Sequence, residues 1–275
     1  MKITAQQVNE LRKATGAGMM DCKKALMESE GDMEKAIDYL RKKGQKVAAK
    51  RADREASEGV VLAKVSDDKT FGAVVMINCE TDFVAKNQDF IDFVNSIIDL
   101  AVAEKVQTKE DLLNAILDGR KVEETLIDKT GVIGEKIELG DYQSITAESV
   151  YAYIHPGNRI ATIAGLNKSG SEFAELGHDV VMQIAAMAPV ALNKDDVSEE
   201  IIQREIEIGK EQARQDGKPE AMLEKIAMGK LNKFFKENTL LNQAFIKDSK
   251  KSISQYLQEA DKDLTVTAFK RLALS

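Results

Sequence analysis

The feature that most constrains the fold of this chain is an order of two strand-like segments and one helix-like segment, which occurs twice. In the first occurrence, residues 59–65 and 71–79 are rich in β-branched and apolar residues, and residues 66–69 have the composition of a turn. We therefore expect an antiparallel hairpin. Residues 82–104 follow with apolar side chains at helical spacing, which predicts an amphipathic helix.

The second occurrence begins at residue 135, about 30 residues after the first one ends. The predicted strands are residues 135–146, 149–154 and 159–166, with Pro156-Gly157-Asn158 as a turn signal between the last two. A predicted helix over residues 172–187 follows. The repeated order indicates two related halves, so the fold class is α+β, with a two-part α/β core built on antiparallel sheets.

Residues 4–50 have the pattern of a small three-helix module. The segments Thr15-Gly16-Ala17-Gly18 and Gly31-Asp32 interrupt the helical periodicity twice, because glycine accepts the left-handed conformation that ends a helix. Residues 42–51, beyond the apolar stripe of the third helix, are basic and weakly apolar. We expect them to form an exposed helical tail or linker.

Residues 198–236 are predicted to form a protruding antiparallel coiled-coil hairpin. Apolar or small residues recur at 4-3-4 spacing at Ile202, Ile206, Gly209 and Ala213, and Asp216-Gly217-Lys218-Pro219 is a turn before a returning helix. Gly209 and Ala213 would allow the two backbones to approach closely. Two roles are open for such a hairpin: a homodimer contact, or a self-contained arm.

These patterns divide the chain into five consecutive parts. They are a three-helix module over residues 1–53, a first core part over 54–140, a second core part over 141–196, the hairpin over 197–237 and a return to the core over 238–275. The last part is predicted to contain a helix near residues 249–259 and a final strand over 264–269.

The composition excludes several classes of protein. The formal net charge of −7 over 275 residues argues against a general nucleic-acid binder, because phosphate contacts require clustered Lys and Arg. The first seven residues lack the apolar core of a signal peptide, and no stretch approaches the ~18 apolar residues of a membrane helix. Two cysteines form no disulfide framework. We therefore expect a cytoplasmic protein with neither a membrane nor a direct nucleic-acid partner.

No pattern typical of covalent chemistry or of a bound cofactor is found. The GxxxxGK[ST] motif is absent, and the glycines at 16 and 18 do not complete a dinucleotide-binding pattern. The cysteines and histidines, Cys22, Cys79, His155 and His178, are too scattered for a zinc site. Cys22 could act as a nucleophile with a histidine base, but a buried structural thiol is favoured. We expect no cofactor, no metal and no enzymatic activity.

Thr81-Asp82-Phe83-Val84 place a carboxylate and an aromatic ring on the first turn of the predicted helix. On a helical projection Phe83 falls on the same face as Phe90, which makes it the first core residue of that helix. Asn87 interrupts this apolar face, which favours contact between Phe83 and another protein. Periodicity alone favours the core, and the helix macrodipole alone accounts for an acidic residue at position 82.

Two long motifs resemble bacterial elongation factor Ts. The first is residues 11–26, Leu-Arg-Lys-Ala-Thr-Gly-Ala-Gly-Met-Met-Asp-Cys-Lys-Lys-Ala-Leu, and the second is residues 78–85, Asn-Cys-Glu-Thr-Asp-Phe-Val-Ala. Residues 133–135, 155–160 and 182–198 match as well, so the resemblance covers nearly the whole chain.

The resemblance implies a guanine-nucleotide exchange factor that binds elongation factor Tu, both GDP-bound and nucleotide-free. It implies that Thr81, Asp82, Phe83 and Val84 press into the GTPase domain, disturb its Mg²⁺ site and release GDP, so that GTP can bind. It also implies a ubiquitin-associated-like N-terminal module. The implied partner-binding positions are Met19, Met20, Lys23, Ile133, Gly134 and His155.

Two other classes remain as alternatives. An adaptor would use the N-terminal module to capture peptides or ubiquitin-like partners, and an enzyme would use Cys22 as its nucleophile. Neither accounts for the Thr-Asp-Phe-Val motif at residues 81–84.

Overall fold

The computed structural model describes residues 3–275, which contain both helices and strands. The helices are α1 (Ala5–Thr15), α2 (Met19–Glu28), α3 (Met33–Arg51), α4 (Asp82–Ala85), α5 (Gln88–Ala103), α6 (Lys109–Asn114), α7 (Val122–Ile133), α8 (Ala174–Met187), α9 (Glu199–Gln215), α10 (Glu220–Asn238) and α11 (Ile253–Ala260). The strands are β1 (Glu58–Val65), β2 (Phe71–Cys79), β3 (Ile116–Leu117), β4 (Arg120–Lys121), β5 (Glu138–Thr146), β6 (Ser149–Ile154), β7 (Ile160–Leu166), β8 (Ala244–Phe245), β9 (Asp248–Ser252) and β10 (Val266–Ala273).

Helices α1, α2 and α3, which we call the N-terminal module, enclose a small core of their own. Leu11, Cys22 and Leu26 are fully buried in it. The helix ends follow the sequence: Thr4 and Gln7 form a capping box at the start of α1, and Gly16 ends that helix with a φ of 69°.

The end of α3 is helical and mostly exposed, as its basic composition predicts, but Gly44 attaches it to the rest of the molecule. Gly44 is buried where α3 crosses α7, and a Cβ atom on Gly131 of α7 would lie 2.4 Å from the Cα atom of Gly44. The two helices therefore meet backbone to backbone. Position 131 has no room for a Cβ atom, whereas one on Gly44 would lie 3.4 Å from the Cα atom of Gly131, an ordinary contact. Glycine contributes nothing to an apolar pattern, which is why periodicity missed this contact.

Two antiparallel three-stranded sheets form the centre of the molecule, in the orders β1-β2-β5 and β10-β7-β6. The sheets pack on each other through a cluster that includes Val61, Val74 and Ile163. Helix α5 covers the outer face of the first sheet, and α8 covers the outer face of the second. Side chains along each strand alternate between these layers, as the two-residue period of a strand requires. The predicted α+β class with antiparallel sheets is confirmed.

Strand β5 pairs with the first hairpin and not with the strands that follow it. Its register runs from Phe71↔Thr146 to Asn78↔Glu138, so the predicted limit at residue 140 falls inside a single strand. A register shift in this pairing lies beside Gly140, where a Cβ atom would be 1.8 Å from the Asn78 Oδ1 atom. The third strand of the second sheet is β10, from the C-terminal part of the chain.

Helices α9 and α10 pack against each other across the turn between Gln215 and Glu220. Gly209 is buried between them, and a Cβ atom there would lie 3.1 Å from the Cα atom of Ala227. The chain then returns to α8, where the buried Gln183 accepts a hydrogen bond from the Ile246 backbone N–H, 2.9 Å long. In residues 3–275 no helix is both long enough and apolar enough to cross a membrane.

Candidate interaction site

Residues Thr81–Val84, which we call the exposed turn, lie at the start of a separate short helix, α4. The chain leaves helical geometry at Asn87, whose side chain accepts a hydrogen bond from the Asp89 backbone N–H and begins α5 afresh. The predicted continuous helix over residues 82–104 is therefore wrong. The helical projection that placed Phe83 beside Phe90 does not apply across this interruption.

Phe83 lies outside the core. Its exposed fraction is 83%, whereas that of Phe90 in the core under α5 is 2%. The interpretation of Phe83 as the first core residue of the helix is thus wrong, and the polar interruption at Asn87 was the correct signal. A single exposed apolar side chain is ordinary on a protein surface, so the ring is a candidate contact because of the motif at residues 81–84 that contains it.

Asp82 carries an exposed negative charge next to this ring. Its carboxylate accepts a hydrogen bond from the Lys86 Nζ atom, 2.6 Å away, and this contact lowers the pKa of Asp82. Both side chains are solvent-accessible, so the pair contributes little to folding. A partner can replace Lys86 without leaving a buried charge unpaired.

The exposed turn is fastened to the core at Thr81. The Thr81 hydroxyl donates to Oε1 of Glu135 at 2.7 Å, and the Thr81 backbone N–H donates to Oε2 of the same residue at 3.0 Å. The hydroxyl oxygen also accepts the Val84 backbone N–H at 3.5 Å, which caps α4. On the other side of the turn, Val84 and Ala85 pack against the core below α5.

Glu80, one residue earlier, joins this site to the N-terminal module. Its carboxylate accepts hydrogen bonds from the Lys136 backbone N–H at 2.6 Å and from Arg51, the last residue of α3, at 2.7 Å. Together these two contacts hold the pKa of Glu80 below its usual value. The N-terminal module, the exposed turn and the segment after α7 therefore meet at adjacent residues.

Ile133 and Gly134 belong to the same region. Ile133 is the last residue of α7 and is half-buried against the core, and Gly134 ends the helix with a φ of 81°. Glu135 follows directly, so the structure brings these two predicted positions next to the exposed turn. The required positive φ explains why a glycine occupies position 134.

The predicted positions on α2 are exposed and lie together. Met19 and Met20 are large apolar residues in contact with water, and Lys23 lies one turn further along the same helix. Met27, seven residues after Met20, is 61% exposed and extends this face. We call these four residues the α2 surface. Sequence analysis assigned no role to Met27, although its seven-residue spacing from Met20 was visible.

His155 lies elsewhere, in the solvent-exposed loop that joins β6 to β7 of the second sheet. Its Nδ1 atom is 3.0 Å from the hydroxyl of Tyr153, and this is the hydrogen-bond contact of its side chain among the described residues. The structure does not bring His155 into contact with residues 81–84. A shared surface for these positions requires a partner large enough to span both sheets.

Both cysteines are buried, and both thiols stay protonated at neutral pH. Burial raises the pKa of Cys22, whose Sγ atom donates to the Ala17 carbonyl at 3.5 Å. Burial, and after it the charge of Glu135, raise the pKa of Cys79 to about 12. A nucleophilic cysteine needs a lowered pKa, so the geometry supports the structural interpretation of Cys22.

A cleft of about 790 Å³ is lined by the N-terminal module, α5 and α7, and lies beside the contact between α3 and α7. Its walls carry charges of both signs, among them Asp21, Asp92 and Lys129, so they favour no single class of ligand. Within residues 3–275, no group of three or more His, Cys, Asp or Glu side chains is arranged to hold a metal ion.

Comparison with known proteins gives the family. The sequence model of the family described as Elongation factor TS matches residues 80–275. The protein named Elongation factor Ts from Christiangramia forsetii is 55% identical over 273 residues, which are 99% of each chain, and that from Cytophaga hutchinsonii is 56% identical over 275 residues, also 99% of each. The one from Porphyromonas gingivalis is 50% identical, over all of this chain and 99% of its own.

The chain belongs to the elongation factor Ts family, and with it to the elongation factors of protein biosynthesis. The resemblance seen in the sequence motifs is confirmed.

Proposed function

We propose that this protein is the guanine-nucleotide exchange factor of elongation factor Tu. The observation that carries the proposal is the 83% exposed ring of Phe83, presented beside Asp82 on a turn that is fastened to the core, in a chain of this family. The protein acts by binding and performs no covalent chemistry. The GDP and the Mg²⁺ ion are bound by the partner.

In this mechanism the exposed turn enters the GTPase domain of the partner near its Mg²⁺ site. Phe83 wedges between helices, and Asp82 exchanges its contact with Lys86 for one with the partner. Thr81 and Val84 hold the turn from behind through Glu135 and the core. The disturbed site loses Mg²⁺ and then GDP, after which GTP binds.

Thermodynamic linkage limits what Phe83 can do alone. An exchange factor binds the nucleotide-free partner more tightly than the GDP-bound partner. The ratio of these two affinities is also the ratio by which the exchange factor weakens nucleotide binding. Weakening it ~10⁴-fold requires ~5.5 kcal/mol of differential binding, whereas one buried aromatic hot spot supplies ~2–4 kcal/mol. Further contacts must contribute, so Phe83→Ala should reduce exchange strongly and still leave a measurable stimulation.

The remaining predicted positions supply those contacts. Met19, Met20 and Lys23 dock the N-terminal module, in the manner of a ubiquitin-associated domain, on a helix of the GTPase domain. Ile133, Gly134 and His155 contact the same partner at two further places. Their separation over both sheets suits one large protein partner better than a short peptide.

The proposal keeps the five-part division of the chain that the sequence predicts, except for one limit. We set the limit between the two core parts at the end of β5, Thr146, because that strand pairs with β2 throughout. The other limits stay at residues 53, 196 and 237. Helices α9 and α10 form the coiled-coil arm, which serves either as a homodimer contact or as a self-contained arm. The site of action is the cytoplasm, with no membrane or direct nucleic-acid partner.

The decisive experiment measures release of a fluorescent GDP analogue from elongation factor Tu, with and without this protein. We expect strong stimulation by the wild type and large losses for Asp82→Ala and Phe83→Ala. Met222→Ala, on α10, is the matched control, because it also removes an exposed apolar side chain. Absence of stimulation by the wild type would overturn the proposal, and full activity of both site variants would remove the role of the exposed turn.

A further inference from the structure

The direction in which Phe83 points depends on very few contacts. Helix α4 has four residues, and its outward residues, Asp82 and Phe83, make no apolar contact with the core. A single helical turn is not stable by itself, since nucleation fixes several residues for one hydrogen bond. Its orientation must therefore come from the contacts of Thr81 at its start and of Val84 and Ala85 behind it.

Glu135 makes the polar part of this attachment. Both of its carboxylate oxygens are engaged by Thr81, one by the hydroxyl at 2.7 Å and the other by the backbone N–H at 3.0 Å. Hydrogen bonds to a charged acceptor are stronger than neutral ones, and a two-point contact also fixes orientation. The same hydroxyl accepts the Val84 N–H, so the attachment and the helix cap share one oxygen atom.

Glu135 is itself held in place. It follows Gly134, whose left-handed conformation ends α7 and whose backbone N–H bonds the Thr130 carbonyl at 2.9 Å. On its other side, the Lys136 backbone N–H bonds Glu80 at 2.6 Å, one residue before Thr81. The carboxylate therefore extends from a fixed point on the core toward the start of the exposed turn.

We propose that Glu135 is a positioning residue for nucleotide exchange, which orients the exposed turn without touching the partner's nucleotide site. This inference rests on the proposed function. Glu135 orders the exposed turn before the partner binds. The turn therefore loses little conformational entropy in the complex, and this loss does not offset the favourable contacts of Phe83. Its loss should lower the maximal rate of GDP release more than the affinity of the first encounter, to which the α2 surface also contributes.

The first test is a titration of elongation factor Tu loaded with a fluorescent GDP analogue against wild type, Glu135→Ala and Glu135→Gln. We expect Glu135→Ala to lower the maximal release rate about tenfold, with little change in the half-saturating concentration, because both hydrogen bonds to Thr81 are lost while the contacts of Val84 and Ala85 with the core remain. Glu135→Gln should lose less, because its amide oxygen can still accept one of the two bonds. Glu123→Ala, an exposed glutamate of α7, is the control and should behave as wild type.

A double-mutant cycle with Phe83→Ala separates positioning from general support of the fold. If Glu135 acts through Phe83, Glu135→Ala should cost less than about twofold in maximal rate when Phe83 is already alanine. The same tenfold loss in both backgrounds, or an unchanged maximal rate in Glu135→Ala, would overturn the inference. A wild type that releases no GDP would instead overturn the proposed function, so the two failures are distinct.

Discussion

The Nη1 atom of Arg51 lies 2.7 Å and 2.9 Å from the two carboxylate oxygens of Glu80. Arg51 ends the long helix of the N-terminal module, and Glu80 is the residue before the exposed turn. This ion pair therefore connects the N-terminal module, which carries Met19 and Met20, with the exposed turn, which carries Phe83. The connection is direct because Glu80 is the sequence neighbour of Thr81.

Removing Arg51 should weaken this connection in a pH-dependent way. We expect Arg51→Met to lower the free energy of unfolding by about 1 kcal/mol at pH 7, since the pair is only partly buried. The folded-state pKa of Glu80 is depressed below its ordinary value of 4.5, so this stability is present above that pH and is lost as the pH falls through the folded value. Urea unfolding from pH 3 to pH 7 tests this, with Lys50→Met, an exposed neighbour, as control. A difference that does not shrink as the pH falls below 4.5 would contradict it.

The contact between α3 and α7 should be sensitive to a single methyl group on one side. Gly131→Ala places a Cβ atom 2.4 Å from the Cα atom of Gly44, so the helices must separate, at a cost of about 1–3 kcal/mol. Gly229→Ala on α10 meets no atom within 4 Å and should stabilise the helix by up to ~1 kcal/mol. Thermal or chemical unfolding of the two variants measures this contrast. If Gly131→Ala stabilised the protein as much as Gly229→Ala does, the backbones of α3 and α7 would not be in close contact.

Phe83 and Phe90 are close in sequence, but Phe83 is exposed and Phe90 is buried. Their replacement should therefore lower the free energy of unfolding by very different amounts. Phe83→Ala should change the free energy of unfolding by less than about 0.5 kcal/mol, because its ring contacts water. Phe90→Ala removes a ring from the core under α5 and should cost about 3–5 kcal/mol. Chemical denaturation of both variants is the measurement. A loss of several kcal/mol for Phe83→Ala would restore the core interpretation of that residue.

The two thiols should be unreactive in the folded protein. At pH 8 a thiol reagent should modify neither Cys22 nor Cys79 quickly, and should modify both once the chain is unfolded. The pKa of Cys79 is raised to about 12 from an ordinary 9.0, so the stability linked to its neutral thiol is complete below pH 9 and declines as the pH rises toward 12. Cys79→Ala should flatten the alkaline part of the stability profile. Fast modification of native protein at pH 8 would show that the thiols are accessible.

Local patterns predicted the parts of the fold that depend on neighbouring residues. The hairpin of β1 and β2 forms where alternating apolar segments flank a turn, and α1 ends at Gly16, where the sequence offers a left-handed residue. Pairing partners that are distant in sequence were not predicted. β5 joins β2, and β10 joins β7 from about 100 residues away, because a strand's composition does not specify which sheet edge it completes.

The sequence by itself determined the family, through two motifs whose residues stand at fixed spacing. Through that resemblance it also led to the proposal that positions 81–84 are the centre of the site. Only the tertiary structure decided that Phe83 lies in water, because the break at Asn87 is a local geometry that helical periodicity averages over. It also decided that Glu135 holds the exposed turn, across 54 residues of chain. Hydrogen bonds between distant residues leave no periodic trace in a sequence, so such a contact is visible only once the fold has brought the two groups together.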